Sequence, residues 1–243
     1  MSGTYQAVFF DLGGTLFSYR SLSRGGSLIV DAARRLDVAP EPRALGRAYR
    51  KASQQAYARL APQRFYLHSE LFRDTFRSFA RELGREPSEE LVSWYEGAQR
   101  ESLLEHLTPM DGCLEVLSAM RARGLYLSIV SNIDDDLLLP LVEKWGLDQL
   151  LDDWTSSEEA RSCKPDRAFF ELALEKAGRR PDEVLFVGDS PEHDVQGARA
   201  VGMTSVLIAE EGTTPPLQSG HVDVAPHHEI GALSELLELV ASA

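Results

Sequence analysis

Lysine is scarce in this 243-residue chain, with four residues against 21 arginines. Positive charge as a whole is outweighed, 25 Lys and Arg to 38 Asp and Glu, for a net charge of −13. That field argues against a bare polyanion such as DNA or RNA as partner. It leaves room for a small phosphorylated ligand, because one local cation or metal overrides the global field. Cysteine is nearly absent. Cys113 and Cys163 have neither metal-ligand nor disulfide-framework spacing, which predicts free thiols in a reducing compartment. No apolar run approaches the length of a membrane span, and the first residues lack the basic and long apolar regions of a signal peptide. The expectation is a soluble cytoplasmic protein, either one large domain or a core with a smaller module.

What the chain does have begins at Ala7-Val8-Phe9-Phe10, which runs into Asp11-Leu12-Gly13-Gly14-Thr15-Leu16. An apolar run ending in an acid reads as a buried strand delivering a carboxylate to one end of a sheet. The two glycines allow a sharp turn and a close approach of ligand to backbone. Three later segments suit the same chemistry. They are Leu127-Ser128-Ile129-Val130-Ser131-Asn132, then Cys163-Lys164-Pro165-Asp166, then Leu185-Phe186-Val187-Gly188-Asp189-Ser190 with Asp194 beyond it. Asp11 can act as a nucleophile that splits one hard displacement into two easier ones. Ser131 can hydrogen-bond a phosphoryl oxygen, with the Asn132 amide beside it. Lys164 is poised to neutralise Asp11 and a bound phosphate. Asp189 and Asp194 offer hard oxygens of the kind Mg²⁺ takes near a phosphate. Structural roles stay open beside these: Ser131 as a cap of the next helix, and Asp194 as an acid in a helix's first turn.

Strands are expected at 7–10, 125–130, 184–187, 204–208 and 222–225, with a weaker one at 154–156. Helices are expected at 112–122, 136–145, 166–177 and 194–201, and a last one at 230–240 against the sheet edge. Residues 210–220 read as a surface loop. Short apolar strands alternating with amphipathic helices predict an α/β fold with a parallel sheet covered on both faces. Ligands of such sheets bind at the C-terminal ends of the strands, where the charged motifs fall. Residues 20–107 look different. They read as four helices, 27–36, 42–60, 69–83 and 88–107, with Pro and Gly breaks between them.

The four motifs and their order resemble those of the haloacid dehalogenase-like superfamily, written DxDGT, S/T, K and GDxxxD. The resemblance implies a Rossmann-like parallel-sheet core, residues 1–19 and 108–243, with an inserted α-helical C1 cap, residues 20–107, hinged near 17–20 and 107–111. It further implies a Mg²⁺-dependent phosphatase acting on a small phosphorylated metabolite through an aspartyl-phosphate, as a monomer or homodimer. Asp11, Ser131 and Lys164 are then catalytic. Asp11, the Gly13 backbone carbonyl, Asp189 and Asp194 hold the metal. Gly14, Thr15, Asn132 and Arg64 contact substrate. Arg64 belongs to a cap cluster, Arg64-Phe65-Tyr66-Leu67-His68, and Tyr19, Arg20 and Arg24 lie in the first linker.

One position departs from the pattern. Gly13 stands where the family carries its second Asp, the general acid–base, a group typically worth about 10²–10⁴-fold. Several readings follow. The substrate has a good leaving group; or Glu192, His193 or a cap residue substitutes; or the protein binds phosphate without turning it over. Phosphonate hydrolysis through a Schiff base on Lys51, the one lysine of the insert, and C–halogen hydrolysis are further alternatives.

Overall fold

The computed structural model describes residues 5–20, 27–39, 42–209 and 224–241. These fall into two compact units, one reaching to Tyr19 and resuming at Thr108, the other Arg20–Leu107. The expected loop at 210–220, Arg24 and residues 40–41 of one expected break lie outside the described residues.

The first unit is a six-stranded parallel sheet. Its strands are β1 (Ala7–Phe10), β4 (Tyr126–Ser131), β5 (Asp153–Ser156), β6 (Val184–Gly188), β7 (Thr204–Ile208) and β8 (His228–Ile230), in the order β5-β4-β1-β6-β7-β8. Every residue of β1 and β6 is buried, as expected of strands covered on both faces. The connecting helices are α5 (Cys113–Ala122), α6 (Asp135–Lys144), α7 (Ser157–Ala160), α8 (Arg167–Ala177) and α9 (Gln196–Val201). Local chemistry sets their ends. The Asp166 side chain accepts from Ala168 N–H at 2.9 Å at the start of α8, and Gly178, with φ 61°, ends it. Phe9, Phe169, Phe170, Phe186 and Met203 fill the space between β1, β6, α8 and α9.

Order and register place the chemistry. β1 lies between β4 and β6, with Phe10 opposite both Ile129 and Val187. Asp11, Ser131 and Asp189 therefore leave three adjacent strands at the same end of the sheet.

The second unit is helical: α1 (Ser27–Arg35), α2 (Pro42–Leu60), α3 (His68–Glu82) and α4 (Glu89–His106). Its core includes Leu45, Ala52, Phe76, Phe79, Val92 and Tyr95, with the Phe76 and Tyr95 rings stacked at 4.6 Å. Ser88 caps α4 by accepting from Leu91 N–H at 3.2 Å. The chain leaves and rejoins the first unit through a small antiparallel ribbon, β2 (Phe17–Ser18) against β3 (Thr108–Pro109), separate from the large sheet.

Three local expectations are corrected. The edge strand expected at 222–225 is instead β8, and residues 222–223 lie outside the described residues. An edge strand buries little, so β8 needs only Ile230 inside and carries His228 and Glu229 otherwise. The helix expected at 230–240 shrinks to a 3₁₀ turn, Leu233–Glu235, and α10 (Leu236–Leu239). Glu235 folds back to accept from the N–H groups of Gly231 and Ala232 at 2.8 and 2.9 Å, which starts the helical backbone late. α10 is tied to the end of α5, where Arg123 donates to Leu237 O at 2.7 Å. The segment expected as a helix at 194–201 opens as a wide π turn, Pro191–Val195, before α9 begins.

Candidate active site

Asp11 extends β1 by one residue, its N–H donating to Val187 O at 2.9 Å. The chain then folds tightly back, with Leu16 and Phe17 N–H both donating to Leu12 O, at 2.9 and 2.8 Å. Gly14 carries the left-handed step, φ 78°. A Cβ there would also collide with the Asp189 carboxylate, so glycine is required twice over. Gly13 has an ordinary φ. Its special feature is a neighbour: a Cβ on Gly13 would lie 2.7 Å from the Tyr19 hydroxyl oxygen and 3.0 Å from two ring carbons.

Asp11 is held by two donors. Ser131 Oγ donates to Asp11 Oδ1 at 2.9 Å, and Lys164 Nζ donates to the same oxygen at 2.6 Å. Both donors and Asp11 are buried. Asp11 Oδ2 has no hydrogen bond among the described residues. Lys164 also donates to Asp194 Oδ1 at 2.6 Å. Asn132 fixes the lysine backbone, its Oδ1 accepting Lys164 N–H at 2.7 Å and its Nδ2 donating to Lys164 O at 3.2 Å. The carboxamide thus positions a lysine that sequence spacing alone leaves in a loop.

Asp194 sits in the π turn with its carboxylate turned inward. Oδ2 accepts Ser190 N–H at 2.9 Å, while the Ser190 side chain accepts His193 N–H at 3.0 Å and caps the turn. Gly188 permits this, since a Cβ there would strike the Asp194 carboxyl group. Oxygens of Asp11, Asp189 and Asp194 lie within 4.8 Å of one another.

Electrostatics follow from this crowding. Burial raises the Asp189 carboxyl above the usual range, and the charges of Asp11 and Asp194 raise it further. Burial likewise raises Asp194, against the opposing pull of Lys164. Burial works against the Lys164 ammonium, but Asp11 and Asp194 outweigh it and hold the lysine above its ordinary value. Three carboxyl groups beside one ammonium make a pocket short of positive charge. Hard oxygens of this number and spacing fit a small divalent cation.

The other expected site residues divide. Thr15 is fully buried, and its Oγ1 has no hydrogen-bond partner among the described residues. Arg64 is exposed in the helical unit, in the turn before α3, where Tyr66 is buried with its ring 5.6 Å from that of His68. Lys51 is engaged on the surface of that unit, donating to Glu82 Oε2 at 2.8 Å. Glu192 and His193 are half-buried in the π turn. Motif spacing missed the part played by Tyr19. It lies eight residues beyond Asp11 with nothing in the sequence to tie it to Gly13, yet its ring and the Asp189 carboxylate both crowd the point where a Cβ on Gly14 would sit. Burial first, then the charges of Asp189, Asp11 and Asp194, hold its phenol well above the usual range, so it stays a neutral O–H.

Residues 5–202 match the haloacid dehalogenase-like hydrolase family. The chain belongs to that family. It is 26% identical, over 99% of its length and 97% of the relative's, to (S)-2-haloacid dehalogenase 4A of Burkholderia cepacia. It is 30% identical to pyrimidine 5'-nucleotidase YjjG of Escherichia coli, over 68% of this chain and 69% of that one. Some other curated relatives are matched over 50–59% of their own length. Among solved structures, the HAD hydrolase YfnB of Bacillus subtilis, bound to magnesium, superposes with a TM-score of 0.79 at 19% identity, covering 98% of this chain and 100% of that one. The parallel-sheet core described above is the fold of this hydrolase family. No described helix is long and apolar enough to cross a membrane.

Proposed function

We propose that this HAD-like hydrolase is a Mg²⁺-dependent phosphatase that cleaves a small phosphorylated metabolite through an aspartyl-phosphate on Asp11. The observation that carries this reading is the carboxylate cluster of Asp11, Asp189 and Asp194, which has two acids more than a nucleophile needs. Asp11, Asp189, Asp194 and the Gly13 carbonyl would hold the ion. When bound, Mg²⁺ supplies Lewis-acid neutralisation of phosphoryl oxygens.

The chain's own groups do the rest. Ser131 and Lys164 both hold Asp11 Oδ1, which leaves Oδ2 as the attacking oxygen. Oδ2 forms the bond to phosphorus as the ester oxygen departs. Lys164 then offsets negative charge on both Asp11 and the phosphoryl group, and water releases phosphate from Asp11. In so slow an uncatalysed reaction, positioning and charge neutralisation are the main contributions open to the protein.

A second reading, C–halogen hydrolysis by Asp11, is favoured by the full-length likeness to a 2-haloacid dehalogenase. One panel separates the two. Small phosphomonoesters and 2-haloacids are tested with and without Mg²⁺. The expected result is phosphate release from at least one ester, abolished by a chelator and restored by Mg²⁺. Halide release indifferent to chelation would establish the second reading. Mg²⁺-dependent phosphate binding without turnover of any compound would mark a silent binding protein.

A further inference from the structure

We infer that the Tyr19 hydroxyl replaces the side chain missing at Gly13, donating a hydrogen bond to the oxygen that leaves as Asp11 attacks. This rests on the phosphatase reading above. Geometry carries it. The hydroxyl oxygen lies 2.7 Å from the point where a Cβ on Gly13 would sit, so tyrosine and a residue-13 side chain compete for one volume. The same ring passes 2.7 Å from the corresponding point on Gly14, which the Asp189 carboxylate also crowds. Tyr19 therefore borders the acid cluster.

Donor accounting points the same way. The departing oxygen gathers negative charge and needs a donor. With the ion bound, Asp11, Asp189 and Asp194 are its ligands and have no proton to give. Ser131 spends its proton on Asp11, and Lys164 is held between Asp11 and Asp194. The Thr15 hydroxyl is fully buried and Glu192 and His193 lie in the π turn, whereas Tyr19 reaches the Gly13 position itself, and its phenol O–H supplies what is missing. As the P–O bond breaks, its electron pair stays on the ester oxygen, and the new bond to phosphorus comes from Asp11 Oδ2. Tyr19 stabilises that charge by hydrogen bonding, the alkoxide takes its proton from water, and the hydroxide so formed attacks the aspartyl-phosphate, releasing phosphate and restoring Asp11. One well-placed donor of this kind is worth about 10²–10³-fold. The benefit grows with the basicity of the leaving oxygen.

Two measurements test this. In the first, Tyr19→Phe keeps the ring and removes only the hydroxyl. Single-turnover phosphorylation should slow about 10²-fold for an alkyl phosphate and change little for an aryl phosphate with an acidic phenol. Equal loss on both esters, or loss on neither, overturns the role while leaving the phosphatase reading intact. No phosphate release from any ester by the unmodified protein overturns both. The second measurement needs neither metal nor turnover. Gly13→Ala should lower the melting temperature by roughly 2–12 °C when Tyr19 is present, and by much less in a Tyr19→Ala background. The same drop in both backgrounds would show that the two side chains do not share the volume.

Discussion

Asp11→Asn is expected to reduce phosphate release by about 10⁴-fold or more while the fold survives. The amide keeps a carbonyl oxygen where Ser131 and Lys164 now donate, at 2.9 and 2.6 Å, so the buried hydrogen bonds persist. What disappears is the proposed nucleophilic oxygen and one negative charge. Lys164 retains Asp194 as its ionic partner at 2.6 Å, so no buried charge is stranded. Circular dichroism and the denaturation midpoint should stay near those of the unmodified protein. Residual turnover within tenfold of the starting value, in a folded variant, is incompatible with Asp11 as nucleophile.

Lys164→Met has a different signature, with large losses in both stability and rate. Lys164 is the ammonium between Asp11 and Asp194, and all three groups are buried. Methionine matches its volume closely. The acids are then left facing one another in a desolvated site, and they must either repel or take up protons. Breaking a buried charge network from one side typically costs about 3–5 kcal/mol. Urea denaturation in metal-free buffer should show a loss of that order, and phosphate release should fall by about 10³-fold. Mg²⁺ in the buffer should recover part of the lost stability but not the rate. A variant as stable as the parent would mean that the acids do not depend on the lysine for their charge.

Much of this arrangement was legible in the sequence. Ala7–Phe10 and Val184–Gly188 are unbroken apolar runs, which only a doubly covered strand or a buried helix explains, and each ends in an acid. The residues of those motifs, Asp11, Ser131, Lys164, Asp189 and Asp194, are the ones the structure gathers at one end of the sheet. What stayed hidden depends on distance in space. β8 carries one buried residue in three and so has no pattern to detect. The π turn at Pro191–Val195 arises because Ser190 captures His193 N–H and Asp194 turns inward, neither of which helical spacing expresses. Tyr19 was visible as a linker residue. Its tie to Gly13 exists only because the loop after Asp11 folds back on Leu12. The empty position and its occupant lie six residues apart, and no spacing rule joins them.

The covalent step on Asp11 is tested most directly by stereochemistry at phosphorus. An ester whose phosphoryl group is made chiral with oxygen isotopes and sulfur is hydrolysed, and the configuration of the released thiophosphate is determined. Two successive in-line displacements, the first by Asp11 and the second by water, each invert the centre. Net retention is the expected result, with no turnover in Asp11→Asn. Net inversion would mean that water attacks the substrate directly, and would contradict an aspartyl-phosphate on Asp11.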